Sequence, residues 1–325
     1  MQEAQQALAR YLQSSPMYAR RLNLKRRLKS ALFLPLLLLA FTLLPATSAF
    51  AASPDVSVAQ QKVHFFPHIS GKTGVSVAST VRPMATNMGY YGGQVQGGTT
   101  NVYAIFWEPT HNVSSTYHSL IQRYFGDVGG SGLYKNNTQY KDSSGRIPSN
   151  SRLAGTWTDT AAYPRSPLLD TDIQNEVSRA KSVKGWSASL TNIFFVFTQA
   201  NENICFDSSH TQCASNAFCA YHSNYGSTIY ATMPYAASFS CNGGPGPNGD
   251  QAADETINVT SHEQMEAATD PYGNAWYDSS GEEIGDKCAW NFGNSSGANV
   301  TWNGHPYRVQ KEWDNRVTGC VLTGP

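Results

Sequence analysis

The stretch NIFFVFTQA, Asn192 to Ala200, places aromatic and branched side chains at consecutive positions. Successive residues of a strand point to opposite faces, so a run that is apolar at nearly every position is stable only where both faces are covered. A second run, NVYAIFW from Asn101 to Trp107, has the same character. Helical patterns lie between the two. Tyr117, Leu120, Ile121 and Phe125 recur at the spacing of one helix face, with Ser114 or Ser115 as N-cap, and Ile173, Val177 and Ala180 form one side of an amphipathic helix across Leu168 to Trp186. Such a strand, helix, strand order implies a sheet covered by helices. Arg152 to Pro164 alternates like an exposed strand, STIYATMPYA reads as a further strand, and CNGGPGPNGD is a loop by composition. The C-terminal ANVTWNGHPYRVQKEWDN reads as a hairpin turning at Asn303-Gly304. These features predict one α/β or α+β domain around a central mixed sheet.

Charge is distributed unevenly. Residues 1 to 51 hold seven Lys/Arg and only Glu3, which leaves 16 basic against 22 acidic side chains beyond them, a net of about minus 6. A moderately acidic body without a Lys/Arg run argues against a nucleic-acid partner, whose binding rests on neutralised phosphates. The basic cluster Arg20, Arg21, Lys25, Arg26, Arg27 and Lys29 precedes an uncharged stretch from Ala31 to Ala46, and Ala49-Phe50-Ala51 then fits a small-x-small cleavage site. Residues 1–51 therefore read as a secretory signal peptide. Its apolar core of 16 residues, interrupted by Pro35 and Pro45, falls short of the roughly 20 needed for a stable span, so no membrane anchor is expected after cleavage. Residues 52–88 are polar and read as a leader, a propeptide or an N-terminal arm. The folded domain is expected over 89–325. All six cysteines lie beyond the signal, and export favours disulfides, paired by proximity as Cys205 with Cys213, Cys219 with Cys241, and Cys288 with Cys320.

The chemistry concentrates between Asp254 and Asp286. If SHEQMEAAT is helical, His262 and Glu266 project from one face a turn apart, a geometry that can chelate one metal ion. Glu263 points beside that ion, where a carboxylate can take a proton from bound water. Met265, Ala268 and Ile257 lie on the opposite side, which predicts a helix buried on one face and presenting ligands on the other. This is the HExxH zinc-peptidase pattern with its second His replaced by Glu. A third ligand is expected from EEIGDKC, either Glu283 or Asp286; in an extended segment these face opposite ways, so only one is expected to reach the ion. Asp270 reads as a capping or turn residue. His222, in FCAYHSNYG, is a candidate substrate-binding donor whose plainer reading is structural. Trp276, Tyr277, Trp290, Trp302 and Trp313 could line a groove or simply pack.

The series HEQMEAATDP, NAWYD and EIGDKC resembles the HELAE, TNP, NAWY and EIADLC series of the EXORDIUM-like, phosphate-induced protein family, plant extracellular proteins with bacterial relatives. YYGGQVQGGTTNVYAIFW is similar to that family's YHGGPV and INVYxIWYG opening, and FCAYHS to its cysteine and histidine segment. The resemblance spans roughly Tyr90 to Cys288. It implies a secreted, zincin-like domain, with His262, Glu263 and Glu266 matching HExxE and Glu283 and Asp286 matching EIxD. Thr269-Asp270-Pro271 replaces the plant pattern of Asn before Pro, and VQKEWDN has no counterpart in it.

Two functional expectations follow. The first is a secreted zinc metallopeptidase acting on peptides, in which His262, Glu266 and an EIGD carboxylate hold Zn2+ and Glu263 is the catalytic base; Mn2+ or Ca2+ would also suit so many oxygen donors. The second is a non-catalytic extracellular protein that binds a cell-surface polymer or glycan.

Overall fold

The computed structural model describes residues 63–69 and 86–324. The expected signal peptide, its cleavage site and most of the expected leader lie outside the described residues. In chain order the principal elements are β1 (Phe65–Pro67), β2 (Gly98–Trp107), α1 (Tyr117–Asp127), β3 (Pro148–Asp159), α2 (Asp170–Lys184), β4 (Asn192–Thr198), β5 (Phe218–Tyr225), β6 (Thr228–Met233) and α3 (Gln251–Thr269). The strands form one mixed six-stranded sheet in the order β1, β5, β6, β4, β2, β3. β3, β2, β4 and β6 run parallel, while β5 pairs antiparallel with both β6 and β1.

Both faces of the sheet are covered, as the apolar runs require. Ile193, Phe195 and Phe197 of β4 enter the core that contains Leu120, Ile121 and Phe125 of α1 and Ile257 and Met265 of α3. Phe194 and Val196, the alternate residues, enter a second core with Ile173, Val177 and Ala180 of α2. The observed class is thus a mixed α/β sheet between helices. Its edge strand β1 comes from the segment read as leader, propeptide or arm.

Three disulfides join Cys205 to Cys213, Cys219 to Cys241 and Cys288 to Cys320, the pairing expected from proximity. The last one fastens a short turn, Asp286–Cys288, to the C-terminal strand pair Glu312–Asp314 and Gly319–Val321. The hairpin at Asn303-Gly304 is also as expected: both residues have positive φ, 51° and 82°, which a two-residue turn of this kind needs. Among the described residues, no helix is long and apolar enough to cross a membrane.

Two expectations need correcting. Neither Ser114 nor Ser115 caps α1; Thr116 occupies that position without a side-chain cap bond. The hydroxyls of Ser114 and Thr116 instead donate to the carboxylate of Asp250, at 2.6–2.8 Å, and Asp250 is the N-cap of α3, accepting from Ala253 N–H. One carboxylate thereby starts α3 and fixes the entrance of α1 beside it. Secondly, α3 is not half-exposed: every residue from Ala252 to Thr269 is buried. The helix is central, and its polar face meets other polar side chains rather than water. FCAYHSNY, which carries His222, is strand β5.

Asp250→Ala should lower the unfolding free energy by about 1–2 kcal/mol, because the cap and both hydroxyl bonds are lost together. Urea denaturation followed by far-UV circular dichroism reads this; an unchanged midpoint would contradict the role assigned to Asp250.

Candidate metal centre

α3 presents His262 and Glu266 one turn apart, with Nε2 of the imidazole 3.0 Å from Oε1 of the carboxylate. Opposite them, β5 carries His222, whose Nδ1 lies 3.3 Å from Glu263 Oε2 and 3.7 Å from Glu266 Oε2. The turn after α3 supplies the third component. Asp286 Oδ1 lies 3.7 Å from His262 Nε2, and Glu283 Oε2 lies 3.9 Å from His222 Nε2. Both carboxylates therefore approach the cluster, contrary to the expectation that only one would. The segment is not extended: it turns at Ile284 and Gly285 into Asp286–Cys288, and Glu283 N–H donates to Asp286 Oδ2. Asp270 is the expected turn residue, its Oδ1 accepting from Asn274 and Ala275 N–H.

His262, Glu263, Glu266 and Asp270 have no exposed surface, and His222 is 5% exposed. Burial of this many ionisable groups shows in their proton affinities. Desolvation opposes protonation of His262, yet the charges of Glu266, Glu263 and Asp286 raise its pKa to about 10. His222 is likewise raised, its burial outweighed by Glu263 and Glu266. Burial lifts Glu263 and, reinforced by Glu266 and Asp270, lifts Glu283 well above the carboxylate range. Asp270 rises to about 6 through burial, partly offset by its two backbone donors. Asp286 moves the other way: burial would raise it, but His64 and His262 hold it down.

Several donors are left without a hydrogen-bond partner among the described residues: His262 Nε2, Glu263 Oε1, Glu266 Oε2, Glu283 Oε2 and Asp270 Oδ2. Buried polar atoms are normally paired, so their convergence fits a site for a cation. Two donor triads are close enough to hold one: His262, Glu266 and Asp286, and His222, Glu263 and Glu266, each with donor atoms within 4.8 Å of one another. Imidazole and carboxylate together suit zinc or manganese better than calcium, whose ligands are all oxygen.

Four residues at this site were not singled out from sequence. Gln310 donates from Nε2 to His262 Nδ1 at 3.0 Å and to Gly285 O at 2.9 Å, while its Oε1 accepts from Trp290 N–H. Glu312, two residues on, is fully buried, and neither carboxylate oxygen has a hydrogen-bond partner among the described residues. Burial raises its pKa well above the ordinary range, against the opposing charge of His262. Their i, i+2 spacing puts both on one side of an extended chain, the only available sequence signal. Phe66 of β1 covers the cluster, stacked on His262 with centroids 4.0 Å apart and on Trp290 at 4.6 Å. His64 adds an ion-pair contact to Asp286 at 3.4 Å, and Trp290 Nε1 donates to Pro67 O.

The aromatic residues are mostly packed. Trp276 contacts Tyr90 and Tyr140, Trp302 contacts Tyr307, and Trp313 lies under Lys287. His305 belongs to the hairpin, donating from Nδ1 to Asp127.

Gly285 has an ordinary φ of −80°, so its lack of a side chain concerns space. A Cβ there would lie 2.5 Å from His262 Nδ1 and 3.0 Å from Glu266 Oε1. Gly285→Ala should therefore cost about 1–3 kcal/mol by overpacking the donors. Chemical denaturation checks this, and wild-type stability would contradict the close approach.

No family model matches the chain, and no solved structure matches it. Among curated proteins it is similar to Protein EXORDIUM-like 5 of Arabidopsis thaliana, 24% identical over 279 residues that cover 69% of this chain and 74% of that protein. This similarity supports an EXORDIUM-like relationship for the chain.

Proposed function

We propose that this is an exported, EXORDIUM-like protein that holds divalent metal in a buried histidine and carboxylate cluster and serves as a non-catalytic extracellular or cell-surface binding protein. The observation that carries this reading is the closure of the site. The donors on α3 are fully buried beneath Phe66 and Trp290, whereas a hydrolytic centre needs an open coordination position that a substrate carbonyl can reach. The three disulfides and the relative support export. His262, Glu266 and Asp286 would hold the ion, zinc being the first candidate, on a zincin-like pairing of a sheet with an HExxE helix. In this role the metal replaces the partners that the orphaned donors lack.

A second reading, a secreted zinc metallopeptidase, is favoured by one specific feature. Glu263 sits inside the cluster with Oε1 unpartnered, held by His222, instead of on a solvated helix face. Zinc bound at the site would supply an acidified water, and Glu263 would hold the proton at Oε1. Substrate could enter only after β1 moved away from His262.

The test is elemental mass spectrometry on protein never exposed to chelator, beside His262→Ala. Stoichiometric divalent metal that is lost in the variant is expected, with chelation lowering the melting temperature of the wild type. No metal would overturn the metal-holding reading. Protein retaining β1 should leave peptide substrates intact, and hydrolysis abolished by Glu263→Gln would establish the peptidase instead.

A further inference from the structure

We propose that the cluster is a two-ion centre bridged by Glu266, with one ion held by His262, Glu266 Oε1 and Asp286 and the other by His222, Glu266 Oε2 and Glu263. This rests on the metal-holding reading above and extends it. Its first support is the orientation of Glu266. The two carboxylate oxygens face different imidazoles, Oε1 toward His262 Nε2 at 3.0 Å and Oε2 toward His222 Nδ1 at 3.7 Å. The two donor triads share this residue alone.

The second support is the tautomer of His222. Its Nε2 lies 3.2 Å from the carbonyl oxygen of Asp270, an acceptor only, so Nε2 carries a proton. Nδ1 faces Glu263 Oε2 at 3.3 Å and Glu266 Oε2 at 3.7 Å, so a protonated ring donates there to Glu263, and the neutral ring would present its lone pair between the two carboxylates. A cation held by the neutral ring would take the place of that proton. An imidazole that donates its other ring N–H to a backbone carbonyl is also the usual arrangement of a metal-ligating histidine.

The third support is the number of donors. Glu263, Glu266, Asp270, Glu283 and Glu312 are all buried, and each keeps at least one oxygen without a hydrogen-bond partner among the described residues; Asp286 stands beside them. One divalent ion and its three ligands leave Glu263 Oε1, Glu283 Oε2 and both oxygens of Glu312 without a hydrogen-bond partner among the described residues, although buried polar atoms are normally paired. A second ion at His222 Nδ1 engages Glu263 directly. Two-ion sites typically hold their metals about 3.5–4 Å apart, a distance that one bridging carboxylate spans. The mixed imidazole and carboxylate set selects first-row divalent ions such as Zn2+ or Mn2+.

The experiment is equilibrium dialysis of the intact protein against micromolar Zn2+ with elemental counting, together with electron paramagnetic resonance of protein loaded with Mn2+. Two ions per chain and an exchange-coupled Mn2+ signal are expected. His222→Gln and Glu263→Gln should each retain one ion and show an isolated Mn2+ signal, with folding verified by circular dichroism. One ion per chain in the wild type, with an uncoupled signal, would overturn the two-ion centre while leaving the single-ion reading standing. Two ions that persist in a folded His222→Gln would place the second ion elsewhere and also overturn the proposal. No ion would overturn both readings. Because the wild-type count and coupling decide the matter alone, the outcome does not depend on either variant folding.

Discussion

The burial of α3 is the constraint around which the molecule is organised. A helix with His262, Glu263 and Glu266 on successive faces cannot enter a protein interior on hydrophobicity alone, because isolated buried charges are far costlier than buried apolar groups are favourable. Its apolar residues, Ile257, Met265 and Ala268, pack into the core against the sheet and α1. Its polar residues need partners of opposite charge or shared cations. The imidazoles of His222 and His262 supply part of that compensation, and the oxygens without a partner among the described residues are where the proposed metal would bind.

Each neighbouring element contributes to the same requirement. β5 brings His222 to the helix from the sheet, the turn at Ile284 and Gly285 brings Glu283 and Asp286, and the segment around Gln310 and Glu312 closes the remaining side. The disulfide between Cys288 and Cys320 ties the last two together, aided by a backbone bond from Trp313 N–H to Ile284 O. Gln310 links the C-terminal segment to His262. With its amide nitrogen on Nδ1, the proton of a neutral His262 ring sits on Nε2, facing Glu266; metal at Nε2 moves that proton to Nδ1, where the amide would have to present its oxygen instead.

β1 gives the cluster its closed character. Three residues of an edge strand place Phe66 between His262 and Trp290, and His68 fastens the segment through bonds to the carbonyls of Ala214 and Phe218. A catalytic centre and a sequestered one can therefore share the same helix, differing in whether this strand is in place. That is why an HExxE spacing by itself does not specify hydrolysis here.

Local periodicity was enough to locate much of this. The alternating burial of NIFFVFT, the helix carrying His262 and Glu266 four residues apart, the Asn303-Gly304 turn and the cysteine pairing by proximity are all short-range consequences of strand, helix and chain geometry. Other features depend on which surfaces meet. Glu312, Gln310 and Phe66 lie 48 or more residues from His262 in the chain and were not marked as part of the site, and His222, 40 residues away, was marked only as a candidate substrate-binding donor. Ser114 resembles a helix cap, but the tertiary arrangement commits its hydroxyl to Asp250. Glu283 and Asp286 look mutually exclusive on an extended chain, yet a turn brings both inward. The sequence determined the elements and the α3 donors because those follow from backbone periodicity; the fold alone decided the full donor set and its closure, because burial and charge compensation are properties of surfaces brought together from distant parts of the chain.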